Sequence, residues 1–289
     1  MMRLPRDVTM KQIRIVAAVC AFSISIAQVK AADQFLVDDG KAYAEIIISE
    51  APARSTRLAA AELQTYVAKI SGARLPIRAE PSADVPVQIY VGESPHARKL
   101  GVTADGLRHG AYRIVSGENW LVLIGDDTDF APTEPWAKNN GDRRTLQARW
   151  EKASGLPFGA TNGGMYKNRA RMPKELAKED GEYLWTYDER GSFNAVCGFL
   201  RNLGVRWYSP GELGEVAPKM ASIPLARIDQ TVKPDFEIRQ FSARFGTVDD
   251  EVMRWAMRLG IRQTYGLMIA HGMHTMTHPD ALKKQHPEW

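Results

Sequence analysis

Cysteine is scarce in this sequence, and its scarcity limits how the fold can be stabilised. The chain of 289 residues has two cysteines, Cys20 and Cys197. Cys20 lies in an N-terminal stretch that we expect to be removed, so no disulfide can form within the mature chain. Cys197 falls on the apolar face of a predicted helix, where a small buried side chain is expected rather than a nucleophile.

The N-terminal hydrophobic run is too short to span a bilayer. The run Ile15–Ala27 follows two basic residues, and a membrane helix needs about 20 apolar residues. Small residues ahead of Ala32 complete the pattern of a signal peptide. We therefore predict that residues 1–31 are a signal peptide, with Met10 as an alternative start. The protein is expected to be secreted or periplasmic, without stable membrane insertion after cleavage.

The mature chain also lacks an excess of charge of either sign. Removing the five basic residues and the single acid of the leader from the 38 and 34 of the whole chain leaves 33 of each. A nucleic acid or an anionic membrane is therefore not expected as a partner. The segments Gly92-Glu93-Ser94 and Gly125-Asp126-Asp127 end predicted strands but lack the spacing of a phosphate loop. No cofactor is predicted.

Hydrophobic periodicity predicts a mixed α and β domain over residues 32–228. The predicted strands are Phe35–Asp39, Tyr43–Ser49, Leu75–Ala79, Val87–Val91, Tyr112–Val115, Trp120–Ile124 and Val205–Tyr208, and the predicted helices are Ser55–Ile70 and a segment between Asp188 and Gly204. An Asp-Gly pair predicts a hairpin between the first two strands. Residues 126–183 break the pattern and are interpreted as a long surface insertion.

Three charged residues of the first predicted helix, Arg54, Arg57 and Glu62, are expected on its solvated side. Residues 229–289 are predicted to start a second unit, with 229–234 as a linker. Its expected elements are a strand at Phe236–Phe241, a helix at Asp249–Leu259 that buries Val252, Trp255, Ala256 and Leu259, and an apolar run at Tyr265–Ile269. A strand, helix, strand order implies a parallel pair.

Four stretches carry a resemblance to known families. They are AAAELQTYVAKISGARLPI (Ala59–Ile77), QIYVGES (Gln88–Ser94), AYRIV (Ala111–Val115) and FLRNLGVRWYSPGELGEVAP (Phe199–Pro218). Together they resemble the α+β accessory domain that precedes the catalytic barrel in family 20 β-hexosaminidases and family 67 α-glucuronidases. The last third, with FEIRQF, HGMH and HPEW, resembles the secreted proteins of domain-of-unknown-function family 4838.

The resemblance implies an α+β accessory domain followed by the first β-α-β segment of a (β/α)8 barrel. It implies an exported glycoside-hydrolase-like protein that acts on a polysaccharide or oligosaccharide, hexosaminidase-like or α-glucuronidase-like. In these families the catalytic acids follow the middle strands of the barrel. The chain ends after the second predicted strand, so we expect a truncated barrel, assign no catalytic residue, and expect no glycosidase turnover from this chain alone.

Arg239 is a candidate for substrate binding. It lies in FEIRQF, where the resembled hexosaminidases place an arginine at the end of the first barrel strand to hold sugar hydroxyls. A guanidinium suits adjacent hydroxyls because it presents several donors in one plane. Gln240 stands where that family has a glycine, and a structural salt bridge is an equal alternative.

Four of the six histidines, His271, His274, His278 and His286, lie close to the C-terminus. His271 and His274 are predicted to line a substrate pocket on the loop after the second barrel strand. A zinc site is the sharper alternative, but Gly272 and Pro279 break any helical spacing, and no metal ligand is assigned.

Two aromatic pairs, Trp207-Tyr208 and Trp185-x-Tyr187, could stack on sugar rings. Trp207 is expected instead to pack between the two domains. Two alternative functions remain open for the chain: a non-catalytic carbohydrate-binding module, and a metal-binding protein that uses the C-terminal histidines.

Overall fold

A computed structural model describes residues 34–130, 144–145, 148–149, 152, 169–185, 187–239, 250–262, 284 and 287–288. The strands are β1 (Phe35–Asp38), β2 (Lys41–Ala42), β3 (Ala44–Ile47), β4 (Ile77–Arg78), β5 (Val87–Val91), β6 (Tyr112–Ser116), β7 (Trp120–Gly125), β8 (Arg169–Arg171), β9 (Tyr183–Trp185), β10 (Arg206–Trp207), β11 (Glu215–Val216), β12 (Ile223–Pro224) and β13 (Asp229–Val232). The helices are α1 (Arg54–Ser71), α2 (Pro95–Lys99), α3 (Gly191–Asn202) and α4 (Asp250–Arg258), and a 3-10 turn covers Glu212–Gly214. The predicted signal peptide lies outside the described residues.

The Asp-Gly turn that the sequence predicts joins β1 and β2, but the second strand of this hairpin is Lys41–Ala42 and not the predicted Tyr43–Ser49. Asp39 and Gly40 between them have φ angles of 45° and 72°, the left-handed values that a two-residue turn needs. β1 also pairs antiparallel with β12, near the end of the domain. The second predicted strand, Tyr43–Ser49, corresponds to β3, which belongs to a larger sheet, whereas β2 belongs to this small one.

The larger sheet is mixed, in the order β13-β6-β7-β5-β3-β4. β4, β3, β5 and β7 run parallel, while β6 is antiparallel to both β7 and β13. The hairpin of β6 and β7 is confirmed. The linker predicted at 229–234 is wrong over residues 229–232, because they form β13 along the edge of the sheet.

Helices cover both faces of the larger sheet. α1 and α3 pack on one face, and α2 packs on the other over Ile47, Tyr90 and Val122. Strands buried on both sides read as continuous apolar runs, as LVLI in β7 does. Burial of each large side chain contributes roughly 1.5–3 kcal/mol, so most of the stability of the domain lies in these two layers. A mixed sheet with packed helices is the arrangement that the sequence predicts for this part of the chain.

Two details of the helices follow the sequence closely. α1 ends at Gly72, whose φ of 82° places it in the left-handed region, and its N–H donates to the carbonyl oxygen of Ala68 at 2.8 Å. Cys197 of α3 is fully buried, as predicted, and burial raises the pKa of its thiol. The thiol is therefore not poised for nucleophilic chemistry.

The described part of the second predicted unit packs on the first. α4 forms where a helix is predicted, but its buried face holds Met253 and Met257 in addition to Val252 and Ala256, whereas Leu259 is 44% exposed. The expectation for Leu259 is therefore wrong. Arg239 pairs with Arg262 in an isolated antiparallel bridge. The parallel pair expected between Phe236–Phe241 and Tyr265–Ile269 stays a prediction. The run 265–269 lies outside the described residues, and the barrel stays a prediction.

The insertion is described at its two ends. Residues 126–130 continue from β7, and β8 pairs antiparallel with β9 near the far end. Among the described residues, no helix is both long enough and apolar enough to cross a membrane.

Candidate functional site

The polar edge of the larger sheet lies where β7 ends and α3 begins. The backbones meet closely there: a Cβ on Gly125 would lie 2.4 Å from the Cα of Gly191. The N–H of Gly191 donates to the carbonyl oxygen of Asp126 at 2.7 Å. Carboxyl ends of parallel strands are where open α/β sheets usually bind ligands. The polar residues of this edge are therefore the candidates for function.

Asp127 lies under the first turns of two helices. Its carboxylate accepts hydrogen bonds from the hydroxyl of Thr56 in α1 at 3.0 Å and from the N–H of Ser192 in α3 at 3.0 Å. Burial raises the pKa of Asp127 to about 6 and outweighs these hydrogen bonds, which favour the ionised form. Such a pKa suits a general acid, but both oxygens serve contacts within the domain. Asp127 therefore links the end of β7 to the first turns of α1 and α3 through its hydrogen bonds.

Asp188 holds the same edge from the loop before α3. Its fully buried carboxylate accepts from Arg54 Nη2 at 2.8 Å and from the backbone N–H groups of Trp185 and Phe130 at 2.9 and 2.8 Å. Burial raises the pKa of Asp188, although the Arg54 guanidinium opposes the shift. A carboxylate with its acceptors filled in this way fixes the loop and is not available to a substrate.

The expected solvated side of α1 is wrong. Arg54 pairs with Asp188, Arg57 pairs with Glu182, and Glu62 is only 5% exposed and pairs with Arg258 of α4. The periodicity of α1 indicates which side packs on the sheet. It carries no information about segments more than 100 residues away that return to cover the opposite side.

Arg239 is directed at main-chain carbonyl groups. Its Nε donates to the carbonyl of Gly260 at 2.9 Å, Nη1 to that of Phe236 at 2.6 Å, and Nη2 to that of His109 at 3.0 Å. Nη1 also lies 3.5 Å from the carbonyl oxygen of Glu237, so all three nitrogens of the guanidinium donate to main-chain carbonyls. Burial lowers the pKa of Arg239, and the nearby Arg262 adds to the effect. Among the described residues no carboxylate forms a salt bridge with Arg239, so the structural role is filled by carbonyl contacts instead of the ion pair that was the alternative. The sugar contact of Arg239 stays a prediction.

Five charged residues around this point form what we call the junction cluster: Arg190, Arg239, Arg262, Glu189 and Glu237. Arg262 bonds the carboxylate of Glu189 and lies 3.6 Å from that of Glu237. Arg190 is buried at the start of α3 and donates to the carbonyl of Ile261. Burial lowers the pKa of Arg190 to about 10. The cluster joins residues 236–239 and 260–262 to the loops that precede β6 and α3.

The remaining predicted residues fall in different places. His271, His274, His278 and His286 lie outside the described residues. Trp207 is buried between α1 and α4, as expected, and its carbonyl accepts from Trp255 Nε1 at 3.2 Å. Trp185 is buried against Phe130, with ring centroids 5.6 Å apart, which leaves no open face for a sugar. Among the described residues, no group of three or more His, Cys, Asp or Glu side chains could hold a metal ion.

The predicted strand end Gly92-Glu93-Ser94 has a local structural role. Gly92 turns the chain with a φ of 79°, and the hydroxyl of Ser94 caps α2 by accepting from the N–H of Ala97 at 3.2 Å.

Sequence reasoning missed most of the junction cluster and the hydrogen bonds of Asp127. The run Asp188-Glu189-Arg190 before α3 was the available sign, because charged residues in front of an apolar helix often cap or anchor it. Nothing in the sequence could connect Glu189 with Arg262, since the two are 73 positions apart and share no periodic pattern.

Comparison with known proteins gives little further information. No family model matches the chain, and no curated protein matches it. A similar solved structure is a novel family GH115 4-O-methyl-α-glucuronidase with specificity for decorated arabinogalactans. The two chains are 16% identical, and the match covers 72% of this chain and 19% of the other with a TM-score of 0.42. This chain therefore spans about a fifth of that protein, and a likeness at this level supports no conclusion about function.

Proposed function

We propose that this chain is part of an exported carbohydrate-active protein of the glycoside-hydrolase type. In this proposal the residues up to β13 form a non-catalytic α+β domain, and the segment that follows begins the unit that handles the sugar. The motifs of α1, β5, β6 and the α3–β11 region support the proposal through their resemblance to glycosidase accessory domains. The mixed sheet with packed helices agrees with it.

The junction cluster is the observation that carries the non-catalytic part of the proposal. Each of its five side chains contacts another part of the chain, and together they join residues 237–239 and 260–262 to the domain. Most glycosidases use two carboxyl groups that face a cleft and are open to substrate and water, and family 20 enzymes use the acetamido group of the substrate in place of one of them. Asp188 and Glu189 are instead bonded to arginines of the protein. The edge is built to hold a neighbouring unit in place.

The test uses the purified mature chain that starts at Ala32. We expect no release of nitrophenol from aryl α-glucuronides or aryl N-acetyl-β-glucosaminides above the rate in buffer. Calorimetric titration with oligosaccharides of the same two sugar classes measures binding separately. Turnover by the wild-type chain would contradict a non-catalytic domain. Saturable binding without turnover would favour the carbohydrate-binding module over the larger glycosidase-like assembly.

Arg239→Lys is the matched variant for that titration. Lysine keeps the charge but cannot supply the planar set of donors. Loss of glycan binding in this variant, with unchanged thermal stability, would place a sugar contact at Arg239. Unchanged binding would limit Arg239 to its carbonyl contacts.

A further inference from the structure

Arg258, at the end of α4, lies in a pocket made by four residues of the α+β domain. Its Nε bonds the carboxylate of Glu62, and its Nη1 lies 3.8 Å from a carboxylate oxygen of Glu215. The guanidinium carbon lies 5.4 Å from the ring centre of Tyr66 and 5.7 Å from that of Trp207. We call the four residues Glu62, Tyr66, Trp207 and Glu215 the guanidinium cage.

Three of the four residues of the guanidinium cage, Tyr66, Trp207 and Glu215, contact one another directly and not through Arg258. The rings of Tyr66 and Trp207 meet edge to face at 5.4 Å, and Trp207 Nε1 donates to the Tyr66 hydroxyl at 2.6 Å. That hydroxyl in turn donates to the carboxylate of Glu215. Tyr66 and Trp207 are buried, at 0% and 5% exposure. The pocket is therefore pre-organised by α1, β10 and β11.

The cage contains two carboxylates, and only that of Glu62 depends on Arg258 for charge compensation. Lys69 Nζ lies 2.6 Å from Glu215 and neutralises that carboxylate. Among the described residues, Glu62 has no ion pair other than the one with Arg258. Burial alone would lower the pKa of Arg258, but the adjacent Glu62 carboxylate raises it above its ordinary value. Removing the guanidinium would leave a buried carboxylate uncompensated, which is strongly unfavourable.

The chemistry of the walls selects a guanidinium over an ammonium ion. A flat, weakly hydrated cation can meet two aromatic faces and a carboxylate at once, whereas an ammonium ion is compact and strongly hydrated. We propose that the guanidinium cage is a specific binding site for a guanidinium cation, occupied in this structure by Arg258, which thereby locks α4 to the domain. The proposal is independent of any sugar chemistry.

Chemical rescue of Arg258→Ala tests the site in the full mature chain. Millimolar methylguanidinium chloride is compared with methylammonium chloride at equal ionic strength, and thermal unfolding is the readout. Methylguanidinium should raise the Tm of Arg258→Ala saturably, by about 2–4 °C more than methylammonium does, because a ligand that binds only the folded state stabilises it. The wild-type chain, with its cage filled, should show no such difference.

The matched control is Arg254→Ala, which removes the same charge one turn earlier on α4 and leaves the Glu62–Arg258 pair in place. It should not respond to methylguanidinium. The double variant Glu62→Gln/Arg258→Ala should lose the response and unfold at a higher temperature than Arg258→Ala, since the uncompensated carboxylate is gone. If Arg258→Ala does not fold, its refolding yield in the two salts is the readout. Equal effects of the two salts on Arg258→Ala, or an equal response of Arg254→Ala, would overturn the proposal.

Discussion

Asp127 should give this protein an unusual dependence of stability on pH. Its pKa is about 6 in the folded chain and 3.8 for an ordinary aspartate, so the folded state binds the proton more tightly than the unfolded state does. The stability that this group contributes is complete below pH 4 and is lost as the pH rises to about 6. The loss amounts to roughly 2–3 kcal/mol. Most carboxylates that pair in the folded state change stability in the opposite direction.

The measurement is urea unfolding of the wild type and of Asp127→Asn at pH 4.5, 6 and 7.5. Wild type should lose stability relative to Asp127→Asn as the pH rises through this range. Asp105→Asn, at an exposed position, is the control and should follow the wild type at every pH. A constant difference between wild type and Asp127→Asn would show that Asp127 titrates in the same way in both states.

Gly125 should tolerate no side chain. A Cβ at this position would lie within 2.4 Å of the Gly191 backbone, and neither backbone can move without separating β7 from α3. Gly125→Ala should therefore lower the free energy of unfolding by about 2–3 kcal/mol or more. Gly72→Ala, where the added Cβ meets nothing within 4 Å and only the left-handed φ is strained, should cost about 1 kcal/mol. Equal losses in chemical denaturation would contradict the close approach.

At the residue scale the sequence correctly predicted the burial of Cys197 and Trp207, but it wrongly predicted that the charged side chains of α1 are exposed to solvent. Cys197 and Trp207 are buried as expected, because an apolar side chain needs only the correct face of its own element. Arg54 and Glu62 were expected in solvent and are paired with Asp188 and Arg258, because a polar contact depends on two distant segments meeting. That information lies in the tertiary fold and not in a local pattern.

At the element scale, α4 shows how a correct helix can have an incorrect face. The sequence predicts that Leu259 is buried, whereas the structure buries Met257 to 1% exposure and leaves Leu259 at 44%. Met257→Ala should therefore lower the free energy of unfolding by about 2–4 kcal/mol through the cavity that it leaves. Leu259→Ala should change it by less than about 1 kcal/mol. If urea unfolding shows a larger loss of stability for Leu259→Ala than for Met257→Ala, the buried face of α4 is the one that the sequence indicates.

The elements that the sequence predicts well are those with a strong apolar period. α1 and α3 repeat apolar residues with the helical period, whereas β5 and the β6–β7 hairpin are short, mostly apolar runs bounded by turn residues. β13 was missed because it is an edge strand whose side chains are largely exposed, so its DQTV sequence resembles a polar linker. Its identity as a strand comes from pairing with β6, which a single sequence does not reveal.

At the scale of the whole molecule, the boundary predicted at residue 228 cuts through several contacts. β13 completes the sheet beside β6, Arg258 compensates Glu62, and Met257 fills part of the core formed with α1 and α3. A chain of residues 32–228 would lose all three and would expose the edge of β6. β13 and α4 are separate elements, so the loss of the β13 pairing and the loss of the α4 contacts should add to several kcal/mol.

A chain of residues 32–262 should be more stable than the chain that ends at Ile228. The longer chain should unfold in one cooperative transition, and the shorter should unfold at a temperature roughly 10 °C lower or aggregate during purification. Thermal unfolding by circular dichroism and size-exclusion chromatography measure both properties. If the shorter chain is monomeric and equally stable, the two-domain boundary drawn from the sequence holds, and the junction cluster and guanidinium cage join units that fold separately. If it is destabilised, residues 229–262 belong to the same cooperative unit as the sheet.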